Sequence, residues 1–187
     1  MEYNSRFENK MTGSRKFIPM NIAVLTVSDS RSLADDKSGD LLEKRILSGG
    51  HNMHQRTIVL DEQAKIVKVL RSWVDNKSID VILTTGGTGL TGRDVTVEAH
   101  KQVYEKEIEA FGTIFSVVSM KTIGTSAIQS RACAGVASGT YLFALPGSPS
   151  ACKDAWDEIL TFQFDYRHLP CNFVELLPRL NEHLRRK

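Results

Sequence analysis

The segment 20–27, MNIAVLTV, is almost wholly apolar and rich in β-branched residues, the pattern of a strand buried on both faces of a parallel sheet. A polar loop, SDSRSLADDKSG, follows it. Over 40–47, Leu41, Leu42, Arg45 and Ile46 return at helical spacing, and Gly49-Gly50 closes the segment as a C-cap does. HQRTIVL (54–60) reads as a second strand. Asp61 then stands before EQAKIVKVLRSWVDN, where Ile66, Val69, Leu70 and Trp73 recur at i, i+3, i+4 and i+7, an amphipathic helix. DVILTT (80–85) is a third strand and delivers the chain into a glycine-rich loop.

Helices are expected over 96–104 and 108–120. AGVASGTYLFAL (134–145) reads as two strands around a Ser138-Gly139 turn. In 146–160 Ser148 takes the N-cap position and Pro149 the first helical position, with Ala151, Ala155, Trp156 and Ile159 on one face. Strands alternating with helices imply a three-layer α/β/α sandwich with a mostly parallel sheet and an antiparallel hairpin at one edge.

A chain of 187 residues fits one domain, placed at 17–178, between a disordered leader (1–16) and a basic, solvated tail (179–187) ending in Arg185, Arg186 and Lys187. The net charge of +2 gives no pull toward nucleic acid or a membrane surface, and no stretch approaches the roughly 18 apolar residues of a membrane span. Cys133, Cys152 and Cys171 are odd in number and widely spaced, without a Cys-x-x-Cys pattern. They read as free thiols in a reducing cytoplasm. His51 and His54 are placed in a turn or on an exposed strand, with metal binding disfavoured.

The candidate chemistry lies after the third strand. Thr85, Gly86, Gly87, Thr88 and Gly89 lead into Leu90-Thr91-Gly92-Arg93-Asp94. The letters satisfy G-x-G-x-x-G, but a dinucleotide fingerprint belongs after the first strand, with an acidic residue about 20 positions on. A Walker A loop fails as well, because Arg93 and Asp94 stand where Lys and Ser/Thr are needed. Tight-turn punctuation is the plain alternative.

Asp94 sharpens the question. Loop amides and the next helix favour an anion here by about 0.3–2 kcal/mol. A carboxylate ~4 Å from a phosphate charge would oppose that by roughly 4 kcal/mol at an effective dielectric near 20. A divalent cation between them, Mg²⁺ by preference, removes the conflict. The alternative is that Asp94 merely caps the helix beginning near Thr96. Asp61 also follows a strand and precedes a helix; it is either an N-cap or, because parallel strand ends open on one edge, a second acid on the same crevice. Ser28 and Asp29 after the first strand, and Pro146, Gly147 and Ser148 after the last, should line that edge. Arg131 is either a bidentate phosphate clamp or a solvated side chain.

TTGGTGLTGRDVT, VLDEQ, VLTVSDSR and LPGSPSACKDAW together resemble the MoaB/MogA family of molybdopterin adenylyltransferases, from about Phe17 to Pro178. EIEAFG, IGTSAIQSRACAGVA and PCNF look like its MoaB branch. The resemblance implies transfer of AMP from ATP to molybdopterin with Mg²⁺, releasing pyrophosphate. The product would feed a molybdate-insertion enzyme. It also implies chemistry carried by Asp61 and Asp94, a site lined by Gly86–Gly89 and the 146–148 turn, and a trimer or hexamer. The rival reading is a molybdopterin carrier of the same fold without turnover.

Overall fold

The computed structural model describes residues 10–185. Lys10–Met11 forms β1. Then follow β2 (Asn21–Val27), α1 (Lys37–Ser48), β3 (Asn52–Val59), α2 (Gln63–Asp75), β4 (Val81–Thr85) and α3 (Thr96–Lys101). The second half holds β5 (Lys106–Glu107), α4 (Glu109–Ile123), β6 (Cys133–Ala137), β7 (Thr140–Leu145) and α5 (Pro149–Ala155). α5 runs through a π-helical turn, Trp156–Leu160, into α6 (Thr161–Gln163), before β8 (His168–Leu169) and α7 (Phe173–Leu176).

Six strands form one sheet in the order β3-β2-β4-β7-β6-β5. The first four are parallel, and β6 and β5 are antiparallel at the far edge. Successive residues of the central strands serve two separate cores. Ile22, Val24, Val81, Leu83, Tyr141, Phe143 and Leu145 pack with α1, α4 and α5 on one side. Ala23, Leu25, Val27, Ile82 and Leu142 pack with α2 and α3 on the other. Two-sided burial is why these strands read as unbroken apolar runs rather than alternating ones. The β6–β7 hairpin turns on Ser138 (φ 50°) and Gly139 (φ 85°), two successive left-handed residues that match the twist of the strands they join.

The termini depart from the expected free ends. Residues 1–9, 186 and 187 lie outside those described. From Lys10 onward, the segment expected as disordered leader is tied down: β1 pairs antiparallel with β8, and Arg15 lies 3.2 Å from Glu175. The tail too is built onto the domain, with helical turns at Leu177–Arg179 and Glu182–Arg185, and Asn181 donates to the Ser138 carbonyl at 3.1 Å. His51, expected in a turn or on an exposed strand, is buried; its Nδ1 accepts the Met20 amide at 3.2 Å, and burial lowers its pKa to about 4.

Helix α4 is longer than expected and continues as a 3₁₀ turn over Gly124–Gln129. By length and composition alone Glu109–Gln129 would reach across a membrane, although it holds no run of 18 apolar residues. Scattered Ser, Thr, Gly and Lys residues hide it from a search for an uninterrupted apolar run. Here Phe111, Phe115 and Ser119 face the core, while Ile114, Val117, Met120, Ile123 and Ile128 are exposed.

Candidate active site

Strand register sets the site. Val27 pairs with Val59, Thr26 with Thr85, and Thr85 with Leu145, so four parallel strands end on one line. Ser28, Asp61, Gly86 and Pro146 therefore leave the sheet along a single edge. The chain passes from β2 to β3 on one side and then to β4 on the other, the reversal at which open sheets leave a crevice.

The glycine loop after β4 is shaped by the two acids. A Cβ on Gly87, which has φ +62°, would lie 2.9 Å from each carboxylate oxygen of Asp61 and overlap Thr96 Oγ1. A Cβ on Gly89 would lie 2.8 Å from Asp94 Oδ2. Hydrogen at these positions lets both carboxylates close onto the loop backbone. Asp61 and Asp94, 33 positions apart in the chain, thus meet on one loop.

Neither acid is a helix cap. Glu62 takes the N-cap position of α2 and Val95 that of α3, neither with a side-chain capping bond. Asp94 Oδ2 instead accepts from Thr91 Oγ1 (2.6 Å) and the Thr91 amide (2.8 Å). Those bonds, Thr91's hydroxyl first, hold its carboxyl below the usual carboxylate range against the opposing effect of burial. Among the described residues Asp61 Oδ1 has only a long bond from the Val95 amide, 3.4 Å. Burial, and then the nearby Asp94 and Asp29 charges, push the Asp61 carboxyl upward. Neighbouring acids are thus driven in opposite directions, the arrangement by which active sites give like groups unlike roles.

Asp29 is a bridge. Its Oδ1 accepts the Asp61 amide (3.1 Å) and its Oδ2 the Arg93 guanidinium (2.6 Å), joining the ends of β2, β3 and the glycine loop. Ser28 shapes the turn that follows β2, accepting the Arg31 amide at 3.1 Å. Gly86, at φ +101°, has no room for a side chain against the Val27 carbonyl. The Pro-Gly-Ser turn abuts it: a Cβ on Gly147 would lie 3.2 Å from the Gly86 Cα. Ser148 caps α5, accepting the Ala151 amide at 3.2 Å.

Three of the expected lining residues, Thr85, Thr88 and Arg131, are built into the scaffold of the loop. Thr85 is fully buried and its hydroxyl donates to the Pro146 carbonyl at 2.9 Å. The Thr88 side chain is buried too. Arg131 is partly exposed and most of its donors are engaged within the protein. Its guanidinium donates to the carbonyls of Gly89 (2.8 Å), Thr88 (3.3 Å) and Asp94 (2.9 Å) and pairs with Glu98. It bolts the loop from beneath.

Several residues escaped the sequence reading. Arg31 reaches the Gly147 carbonyl at 3.3 Å from the polar loop after β2, and Ser38 donates to the same oxygen at 2.8 Å. Buried Asp36 anchors that loop, accepting from Thr26 (2.6 Å), the Gly39 amide (3.0 Å) and Arg56 (2.9 Å). The run SDSRSLADDKSG held these side chains in plain view, but nothing in its polarity separates a buried acid from a solvated one.

The family model for a probable molybdopterin binding domain matches residues 23–165. The chain belongs to the MoaB/MogA family. It is 44% identical over 160 residues to molybdenum cofactor biosynthesis protein B of Escherichia coli K12, covering 86% of this chain and 94% of that one. It is also 44% identical over 140 residues to a probable molybdopterin adenylyltransferase of Methanocaldococcus jannaschii, covering 71% and 83% respectively. Among solved structures, a molybdenum cofactor biosynthesis protein B superposes with a TM-score of 0.77 at 32% identity, over 92% of this chain and 100% of its own. The tungsten cofactor synthesizing MoaB of Pyrococcus furiosus gives 0.68 at 30% identity, over 90% and 98%. The α/β architecture is that of these MoaB relatives, with the glycine loop inside the matched region.

Proposed function

We propose that this protein transfers AMP from ATP to the terminal phosphate of molybdopterin, releasing pyrophosphate, as a step of molybdenum cofactor biosynthesis. The observation that carries the reading is the meeting of Asp61 and Asp94 over Gly87 and Gly89, one carboxyl held down and the other pushed up. The name of the archaeal relative, a probable molybdopterin adenylyltransferase, supports the same reaction.

A molybdopterin phosphate oxygen attacks the α-phosphorus of ATP. The bond from that phosphorus to the bridging oxygen breaks, and pyrophosphate leaves with the electron pair. The nucleophile is already an anion, so no strong base is required; positioning and charge neutralisation dominate. The glycine loop brings backbone close to the phosphates, Arg131 holds that loop still, and Arg31 supplies positive charge beside the Pro-Gly-Ser turn.

Three acids on one rim suit a hard cation better than a bare polyphosphate. Among the described residues no group of three or more His, Cys, Asp or Glu side chains could hold a metal by itself. Asp94 and Asp61 fit an ion that takes the rest of its oxygen ligands from substrate phosphates and water, as Mg²⁺ does. Bound there, Mg²⁺ would neutralise charge building on the phosphate oxygens. Asp94 stays ionised through its Thr91 bonds; Asp61 orients the incoming phosphate or shares the cation.

We place the reaction in the cytoplasm of the cell and its product in the hands of a molybdate-insertion enzyme. We further propose assembly as a trimer or a dimer of trimers, with the outer stripe of α4 (Ile114, Val117, Met120, Ile123) covered by a second copy.

Purified protein with ATP, Mg²⁺ and molybdopterin should release pyrophosphate, and Asp94→Asn should lose turnover at least a hundredfold with little change in molybdopterin affinity. Tight molybdopterin binding without pyrophosphate from the wild type would make the protein a carrier. Equal turnover in wild type and variant would remove Asp94 from the chemistry.

A further inference from the structure

Thr96 is fully buried and its Oγ1 has no hydrogen-bond partner among the described residues. An isolated orphan hydroxyl would be unremarked in a flexible loop. This one is fixed: the Thr96 amide donates to the Gly87 carbonyl at 2.9 Å, which locks the residue against the glycine loop. Its hydroxyl points at the space over Gly87 where a Cβ would sit, and both oxygens of Asp61 lie 2.9 Å from that same point. A buried donor without a partner is costly, and this one sits beside a carboxylate that is itself under-bonded among the described residues, with one long contact from Val95 at 3.4 Å.

We infer that Thr96 is a positioning residue for Asp61: when Mg²⁺ and ATP occupy the loop, its hydroxyl donates to one carboxylate oxygen and turns the other toward the ligand. The inference rests on the proposed nucleotidyl transfer. Gly87 is part of the device, since any side chain there would fill the gap the two groups must close. Val95 and Thr96 then hold Asp61 from one side as Thr91 holds Asp94 from the other, giving each acid a hydroxyl and an amide. The first half of that symmetry is complete in the structure around Asp94; around Asp61 it awaits the ligand.

Thr96→Val removes the hydroxyl and keeps the shape, while Thr96→Ser keeps the hydroxyl. Two readouts separate positioning from mere packing: calorimetric binding of Mg·ATP, and the split between kcat and KM for molybdopterin in pyrophosphate release. Thr96→Val is expected to weaken Mg·ATP binding about tenfold and to lower kcat at least tenfold. Its KM for molybdopterin should stay within twofold and its thermal midpoint close to the wild type. Thr96→Ser should recover both binding and kcat to within about threefold. Wild-type binding and turnover in the valine variant would overturn the role of Thr96 alone, as would a serine variant no better than valine. A wild type that neither binds Mg·ATP nor releases pyrophosphate would instead overturn the proposed reaction, and this inference with it.

Discussion

Three glycines that look alike in the sequence should behave differently when given a methyl group. Gly87 has φ +62°, a conformation that costs a residue with a Cβ about 1–2 kcal/mol. Its added carbon would also press on Asp61 at 2.9 Å and overlap the Thr96 hydroxyl. For a chain of this size the backbone cost alone corresponds to a fall of about 2–8 °C in melting temperature. Gly89 has no such backbone demand; the nearest atoms to its Cβ would be those of the Asp94 carboxyl, from 2.8 Å, and Asp94 is held in place by Thr91. Gly89→Ala should therefore cost less than about 1 kcal/mol of stability, yet lower kcat at least tenfold, equivalent to about 1.4 kcal/mol of transition-state stabilisation. At Gly92 nothing lies within 4 Å, so Gly92→Ala should keep full activity and gain a few tenths of a kcal/mol from a stiffer unfolded chain. Calorimetric melting with a continuous pyrophosphate assay on the three variants decides the matter. Comparable kcat values for Gly89→Ala and Gly92→Ala would refute the claim that the loop is built around Asp94.

Arg131→Gln should release the glycine loop, lowering stability by about 2 kcal/mol and turnover by more than tenfold, measured by urea unfolding and pyrophosphate release. Buried His51 has a folded pKa of about 4 against about 6.5 unfolded, so its contribution is complete above pH 6.5 and is lost as pH falls toward 4, by about 3 kcal/mol at most. His100, lowered to about 3 by burial, acts in the same sense. Urea unfolding at pH 7.5 and 4.5 should show a smaller loss for His51→Asn than for the wild type; identical losses would contradict the assignment. Val117→Glu combined with Met120→Glu should reduce a trimer or hexamer to monomers by light scattering, and a wild type already monomeric at micromolar concentration would remove the interface.

The sheet was legible because its central strands are buried on both faces, which writes them as unbroken runs such as IAVLTV and VILTT. Short, exposed pairings left no such mark: Lys106–Glu107 and Lys10–Met11 are polar or solvent-facing and find partners only through the tertiary fold. The site divides in the same way. Asp61, Asp94 and the glycine loop were visible because strand ends of a parallel sheet share an edge. For Thr85 and Arg131 the sequence shows neither the burial of the first nor the backbone carbonyls each side chain reaches: Pro146 for Thr85, and Thr88, Gly89 and Asp94 for Arg131. Arg31 and Asp36, in the loop after β2, and Thr96, at the start of α3, went unread because only folding shows which polar side chains turn inward.

The central claim is that Asp61 and Asp94 grip one cation on the phosphates of a nucleotide. A crystal grown with Mn²⁺ and a non-hydrolysable ATP analogue, measured at the manganese edge, tests it without any assay. The account expects an anomalous peak over Gly87–Gly89, about 2.1 Å from a carboxylate oxygen of Asp94 or Asp61 and in contact with phosphate. A nucleotide bound elsewhere, or a metal that touches neither carboxylate, would contradict it.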